Sequence, residues 1–329
     1  MFTRPSAALG RSSDAAGAQD AFADAVRFYL QLTPRQLPSH FLYDALGSSL
    51  FDAICHLPWY SITRAELRLL ERHAAEVGRI LGRRARVVEL GSGNGEKLAT
   101  LLTHAGVGRV HARLIDVSGA ALRRSIQALS GVEGVDLEIA VAQTTYEDGL
   151  LALRGDNACP TLVALLGSNI GNYDQPGAAA FLRAIRSALR SGDYLLIGAD
   201  LVKSEPDLRL AYDDPLGVTA AFNKNLLVRI NRELTGDFRV ERFKHRAVWN
   251  EASSRVEMHL VSLVRQDVSI GRSNLRFTLA EGETIWTESS YKYQPEGIAR
   301  RVEAAGFACR NQWIEPRDRF ALTLFEAVG

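Results

Sequence analysis

The chain is poor in cysteine, in methionine and in charge of any one sign. Cys55, Cys159 and Cys309 are its three cysteines in 329 residues; they lie far apart and form no C-x-x-C pair. That excludes a disulfide framework and a cysteine-based zinc site, and it suits a reducing cytoplasm. Lys plus Arg number 39 against 38 for Asp plus Glu, a formal net charge of +1. Such a balance lacks the basic footprint of a nucleic-acid binder. No apolar run approaches the ~20 residues of a membrane span. Arg4 and Arg11 have no continuous apolar stretch behind them, so a secretory signal is not expected. The histidines, His40, His56, His73, His104, His111, His245 and His259, show neither H-x-x-x-H nor H-x-H spacing, so no metal is expected. Neither a G-x-S-x-G nor a Cys/His nucleophile arrangement occurs, and covalent catalysis is not indicated.

What is present is an ordinary globular composition, 47% hydrophobic and 23% charged. The length suits about two domains of ~150 residues. Residues 1–19 are rich in Ala, Ser and Gly and read as a disordered lead-in. Helical spacing over 21–32 stops before Pro34 and Pro38, and a short helix over 47–57 ends at Pro58. Thr63-Arg-Ala-Glu66 reads as a capping box, with Leu67, Leu70, Ala74, Val77 and Leu81 behind it on one stripe. Strands at 86–90, 110–115, 135–141, 161–166 and 194–199 then alternate with helices at 96–102, 119–129 and 178–189. That rhythm predicts a parallel, doubly wound sheet. It breaks at 203–235, which reads as helical, and three strand-like runs follow at 238–249, 256–264 and 275–287. A helix at 295–305 and two closing strands at 308–314 and 319–327 complete the pattern. The expected class is α/β: a Rossmann-like class I methyltransferase sheet with a C-terminal antiparallel hairpin, plus a smaller α+β substrate-binding domain. The expected division is 20–62 with 202–292 for substrate, and 63–201 with 293–329 for the methyl donor.

Four segments carry chemistry. In Val87-Val-Glu-Leu-Gly-Ser-Gly-Asn-Gly95, an acidic residue ends the first strand, and Gly91, Gly93 and Gly95 open a helix. Glycines there let backbone approach a ligand closely. A dinucleotide fingerprint would need its third glycine where Glu96 stands, which disfavours a nicotinamide cofactor. Asp116 ends the second strand, ~20 residues beyond, where a ribose is read in nucleoside-binding sheets; a helix N-cap is its other reading. Leu166-Gly-Ser-Asn-Ile-Gly-Asn172 places polar groups at the carboxyl edge of the fourth strand. Trp286-Thr-Glu-Ser-Ser-Tyr-Lys-Tyr293, if extended, turns Glu288 and Ser290 to one face. Read alone it is a solvated strand end, as Tyr212 alone is a packing tyrosine and Met258, alternating with Val256 and Leu260, is core.

Taken together these residues resemble the ergothioneine-pathway histidine Nα-methyltransferase family, from about Phe41 onward. The resemblance is carried by Tyr43-Asp-Ala-Leu-Gly-Ser-Ser-Leu-Phe-Asp52, Glu89-Leu-Gly-Ser-Gly93 with Glu96-Lys97, and Gly167-Ser-Asn-Ile-Gly-Asn172. Asp200-Leu-Val-Lys203, the run from Ala211 to Asn223, Val256-Glu-Met-His-Leu260 and Thr287-Glu-Ser-Ser290 extend it. It implies S-adenosyl-L-methionine (AdoMet) as methyl donor, S-adenosyl-L-homocysteine as product, and the α-amine of a free amino acid as acceptor. Histidine, trimethylated to hercynine, is the acceptor implied, tryptophan or a non-catalytic binding role being the alternatives. Glu288 and Ser290 would hold the imidazole and Met258 would line that pocket. Asn172 and Tyr212 would take the carboxylate, Tyr60 the amine with Tyr43 nearby, and Gly167 the transferring methyl. Gly91, Ser92, Gly93, Lys97, Asp116, Thr145 and Tyr146 would belong to the AdoMet site. The chain departs from the family at Ser61-Ile62 and at Thr145, where an acid is usual, leaving Glu147 or Asp148 to supply it. A cytoplasmic monomer without nucleic-acid or membrane partners is expected.

Overall fold

Strands whose side chains are buried on both faces fix the architecture. In the computed structural model, which describes residues 14–153 and 159–329, α1 (Asp14–Leu30) leads through the short strand β1 (Arg35–Gln36) to α2 (Ala45–Cys55) and α3 (Ile62–Leu81). Then β2 (Arg84–Leu90), α4 (Glu96–Ala105), β3 (Arg109–Asp116), α5 (Gly119–Leu129) and β4 (Asp136–Gln143) alternate. They continue into α6 (Tyr146–Leu151), β5 (Thr161–Leu165), α7 (Gln175–Ala188) and β6 (Tyr194–Asp200). Next come α8 (Glu205–Tyr212), α9 (Val218–Leu234), β7 (Phe243–Asn250), β8 (Arg255–Ser262), β9 (Gln266–Ile270), β10 (Leu275–Leu279) and β11 (Thr284–Tyr291). The last elements are α10 (Pro295–Glu303), β12 (Phe307–Glu315) and β13 (Phe320–Ala327).

The main sheet has seven strands in the order β12-β13-β6-β5-β2-β3-β4. Strands β2 to β6 are mutually parallel, and β13 runs antiparallel between β6 and β12. This is the class I methyltransferase sheet with its terminal hairpin, as expected. Alternation along each strand feeds two cores. Val87, Leu162 and Leu196 join Leu98, Leu226 and Leu260 on one side; Val88, Val163 and Leu195 join Phe181, Ile185 and Ile298 on the other. A second sheet, β1-β11-β8-β7, packs into the first of these cores through the inward side of β8, namely Val256, Met258 and Leu260. β9 and β10 form a separate antiparallel ribbon.

Several expectations are corrected. Helix α1 starts at Asp14, so 14–19 are helical, and the rest of the expected lead-in lies outside the described residues. The single helical stretch over 203–235 divides, because Asp213–Gly217 turns the chain and Gly217, at φ +74°, opens α9. The expected strand over 275–287 is two strands, separated by a turn at Gly282 with φ +80°, and β9 precedes it. The capping box is absent: α3 is capped at Ser61, Thr63 is buried within the first turn, and Glu66 points inward. Leu69 rather than Leu67 lies on the buried stripe of α3.

Gly95 opens α4 at φ +80°, and a Cβ there would sit 2.5 Å from Ser125 Cα on α5. Gly282 has the same φ but open space around it. Gly282→Ala is therefore expected to lose only the left-handed backbone penalty, ~1–2 kcal/mol. Gly95→Ala adds forced displacement of α5, ~1–3 kcal/mol more. Urea unfolding of both variants checks this, and equal losses would contradict it.

Candidate active site

A cavity of about 950 Å³ opens at the carboxyl edge of β2, β3 and β5, and extends to α2 and β11. It lies near the upper end of the ~300–1,000 Å³ typical of ligand pockets. All seven residues expected at the AdoMet site line it: Gly91, Ser92, Gly93, Lys97, Asp116, Thr145 and Tyr146. Gly91 has φ +81°, and a Cβ there would collide with Tyr146 Oη. Gly93, at φ +56°, leaves open space above the turn, and its N–H donates to Asp116 Oδ2 at 3.3 Å. Asp116 Oδ1 accepts from Ser118 N–H at 2.8 Å, while Ser118 itself caps α5, so the N-cap reading of Asp116 is replaced by this supporting role. Burial pushes the Asp116 carboxyl up, against the backbone N–H donors that pull it down. Thr145 caps α6 through Asp148 N–H and also contacts the Asp148 carboxylate; Glu147, not Asp148, faces the cavity.

The acid that ends the first strand is the test of whether a cationic ligand fits. Glu89 is 1% exposed, lines the cavity, and its Oε2 has no hydrogen-bond partner. Burial pushes its carboxyl well up, Lys97 pulls it down, and Glu66 pushes it further up. An orphaned buried carboxylate oxygen beside an open glycine turn suits a ligand that carries positive charge and N–H donors, which AdoMet does.

Gly167 follows β5 at φ +76°, and Asn172 ends a 3-10 turn over Asn169–Asn172; both line the cavity. The turn is pinned from two sides. Ser168 Oγ accepts the Asp200 N–H at 2.9 Å, and Tyr293 Oη donates to the Ile170 carbonyl at 3.1 Å.

On the acceptor side Tyr43, Tyr60 and Glu288 line the same cavity. Tyr43, Phe51, Tyr60 and Tyr212 form a chain of edge contacts, with ring centroids 5.4–6.2 Å apart. Burial, reinforced by Tyr212 and by Glu288, pushes both the Tyr43 and Tyr60 phenols well up, so both stay neutral. Burial also pushes Glu288 up to about 7, with Lys292 pulling the other way. Tyr212, Ser290 and Met258 do not line the cavity. Met258 is core, and Tyr212 Oη and Ser290 Oγ sit 2.8 Å apart behind the wall. A bulge between Trp286 and Glu288 shifts the register of β11, so that Glu288 and Ser289 line the cavity while Ser290 turns inward.

Ser290 and Tyr212 are both held by Lys292, whose Nζ donates at 2.9 and 2.7 Å and pairs with Asp200 at 2.9 Å. Burial would lower the Lys292 ammonium, but Asp200 and Tyr212 together outweigh it and hold it above the usual lysine range. His245 Nε2 meets the Tyr212 carbonyl at 2.7 Å and its Nδ1 meets Asn223, which fixes a neutral imidazole beneath Tyr212. Among the described residues no group of three or more His, Cys, Asp or Glu is placed to hold a metal, and no helix is long and apolar enough to cross a membrane.

Sequence reasoning missed Lys292 and Glu66. Nothing in the spacing of Tyr291-Lys-Tyr293 marks the lysine. Glu66 did leave a signal, because a carboxylate falls on the apolar stripe of α3 between Ile62 and Leu70. Its Oε2 pairs with Lys97 Nζ at 2.9 Å, and both of its oxygens accept the Gly167 N–H, at 3.0 and 2.8 Å.

Comparison with known proteins gives the family. A family model described as histidine-specific methyltransferase, SAM-dependent, matches residues 22–327. The histidine N-alpha-methyltransferase of Mycolicibacterium smegmatis is 39% identical over 309 residues, spanning 93% of this chain and 95% of that one. That of Mycobacterium tuberculosis is 41% identical over 305 residues, 90% of this chain and 91% of the other. Ergothioneine biosynthesis protein 1 of Neurospora crassa is 29% identical over 283 residues, 80% of this chain but 32% of that longer protein. With a seven-stranded methyltransferase sheet, an AdoMet-compatible glycine turn and a family match over almost its whole length, the chain belongs to the histidine-specific, SAM-dependent methyltransferases.

Proposed function

We propose that this protein methylates the α-amine of free L-histidine, three times in succession, to give hercynine for ergothioneine biosynthesis. The observation that carries the reading is Glu288: a secluded carboxyl on the acceptor wall, facing the cavity that also contains the glycine turn. A carboxylate there accepts an imidazole N–H, whereas an aliphatic side chain leaves it desolvated and unpaired. Asn172 is assigned to the substrate carboxylate and Glu288 to the imidazole; Tyr212 and Ser290, expected there as well, lie behind the cavity wall, where Tyr212 backs Tyr60 by an edge contact. The two sheets support a division into a donor-binding part (63–201 with 293–329) and an acceptor-binding part (20–62 with 202–292). The three free cysteines support a cytoplasmic setting, and a mass of 36.1 kDa in solution would agree with a monomer.

AdoMet, when bound, supplies the electrophilic methyl. The residues of the chain then have three tasks. They align the acceptor nitrogen, which by orientation alone contributes ~7–11 kcal/mol in favourable cases. They orient the amine, which sheds a proton to water before each transfer; the neutral Tyr60 phenol accepts an amine N–H while one remains, and its raised pKa argues against a tyrosinate base. They also tolerate a growing cation. The aromatic faces of Tyr43 and Tyr60 hold a methylated ammonium by cation–π attraction after its N–H donors are gone.

Incubating the protein with AdoMet and each free amino acid, read by mass spectrometry, tests the reading. Three added methyls on histidine alone are expected, and exclusive turnover of another amino acid would reassign the pocket. A second prediction follows from Glu288. Its carboxyl loses its proton near pH 7, and only the carboxylate accepts the imidazole N–H with full charge. The KM for histidine is therefore expected to fall as pH rises from 6 to 8. Glu288→Gln removes a charged hydrogen bond, ~1.5–3 kcal/mol, and raises KM ~10–100-fold. The pH dependence that survives in Glu288→Gln belongs to the substrate imidazole; identical profiles in both proteins would refute the assignment.

A further inference from the structure

Three residues distant in sequence meet where the donor and acceptor halves of the cavity join. Glu66 comes from α3, Lys97 from α4 and Gly167 from the end of β5. Glu66 is 0% exposed, and space has been cleared for it: a Cβ at Gly198 on β6 would overlap Glu66 Oε1. A Cβ at Gly167 would lie 2.8 Å from Lys97 Nζ. The Glu66 oxygens take the Gly167 N–H from both sides, and Oε2 also takes Lys97 Nζ. Lys97 and Gly167 line the cavity, whereas Glu66 stands behind them.

A buried ion pair is weak evidence for stability, because desolvation offsets most of its attraction. This one joins two cavity-lining groups that the proposed reaction uses on opposite ligands. Lys97 offers its remaining donors to the carboxylate end of an AdoMet-like donor. Gly167 lies on the wall beside which the acceptor amine is methylated. A trans peptide sets its N–H and C=O antiparallel, so clamping the Gly167 N–H also fixes the direction of the Leu166 carbonyl. We propose that Glu66 is a positioning residue that registers the methyl donor against the acceptor amine, by holding Lys97 and the Gly167 peptide with one carboxylate. The inference rests on reading the cavity as a joint AdoMet and amino-acid site. Misplacement by about 1 Å costs on the order of 10²-fold in rate, so the register matters more than the pair's own energy.

The charged and titratable groups facing Lys97 are Glu66 on α3, Glu89 on β2 and Cys55 on α2. Burial pulls the Lys97 ammonium down, and Glu66 is the largest influence holding it up. Removing that charge leaves Lys97 to lose its proton more readily.

The test uses the full chain with Glu66→Gln and, as a second variant, Glu66→Gln combined with Lys97→Met, which removes both charges and keeps similar volume. In Glu66→Gln the amide turns an N–H₂ toward Lys97 or Gly167, both donors. The expected result is kcat reduced 10–100-fold, with thermal unfolding showing a folded protein. Binding of S-adenosyl-L-homocysteine, followed by calorimetry between pH 7 and 10, should vary in the parent only with the ligand's own α-amine. It should weaken more steeply with pH in Glu66→Gln and lose that added slope in the double variant. A purely structural role for Glu66 would leave the slope unchanged. A kcat within twofold of the parent, or parallel pH profiles in parent and Glu66→Gln, would overturn the proposal. Failure of the underlying reading is distinguishable, because it would appear in the parent protein as no turnover of any amino acid.

Discussion

The site depends on one topological constraint: at β2 and β5 the parallel sheet reverses the direction in which its connections leave. Chain order runs outward from β2 through β3 to β4, then returns to β5 and β6 on the other side. Loops leaving the carboxyl ends of adjacent strands β2 and β5 therefore part, and a crevice opens between them. Gly91 and Gly93 come from one side of that crevice, Leu166 and Gly167 from the other, and Asp116 from the next strand along. The second sheet closes the crevice by bringing Glu288 from β11 against Tyr43 and Tyr60.

Placing a sulfonium donor and an amine acceptor in one enclosure sets an electrostatic problem, and the buried charges meet it in pairs. Glu66 neutralises Lys97 at the junction, Asp200 is flanked by Lys203 at 2.7 Å and Lys292 at 2.9 Å, and Glu89 and Glu288 face the two halves of the cavity. The two cavity-facing carboxyls are both pushed up by burial, so each is poised to ionise against a ligand that brings positive charge or an N–H. The aromatic rings of Tyr43 and Tyr60 then supply a wall that stays neutral throughout.

Much of this was legible in the sequence. The helix α5 and the parallel strands follow from apolar periodicity, and the AdoMet residues follow from a contiguous glycine turn with Asp116 beyond it. Local patterns carry such features because each is made by neighbouring residues. The acceptor side was legible mainly through resemblance. Glu288 looked like a solvated strand end because the side chains that stand against it, Tyr43 and Tyr60, lie far away in sequence. A bulge at Trp286 then placed Ser290 behind the wall rather than on it, which alternation alone does not foresee. Glu66 was misread for a related reason: a short-range capping pattern competed with a long-range demand for a carboxylate beside Lys97, and the buried cation won.

The most direct measurement of the central claim is a crystal structure of the protein with S-adenosyl-L-homocysteine and L-histidine bound together. The account predicts the nucleoside product on the Gly91–Asp116 side, with the histidine imidazole hydrogen-bonded to Glu288 and its amine beside Gly167 and Tyr60. Histidine bound elsewhere, or with its imidazole turned away from Glu288, would contradict it.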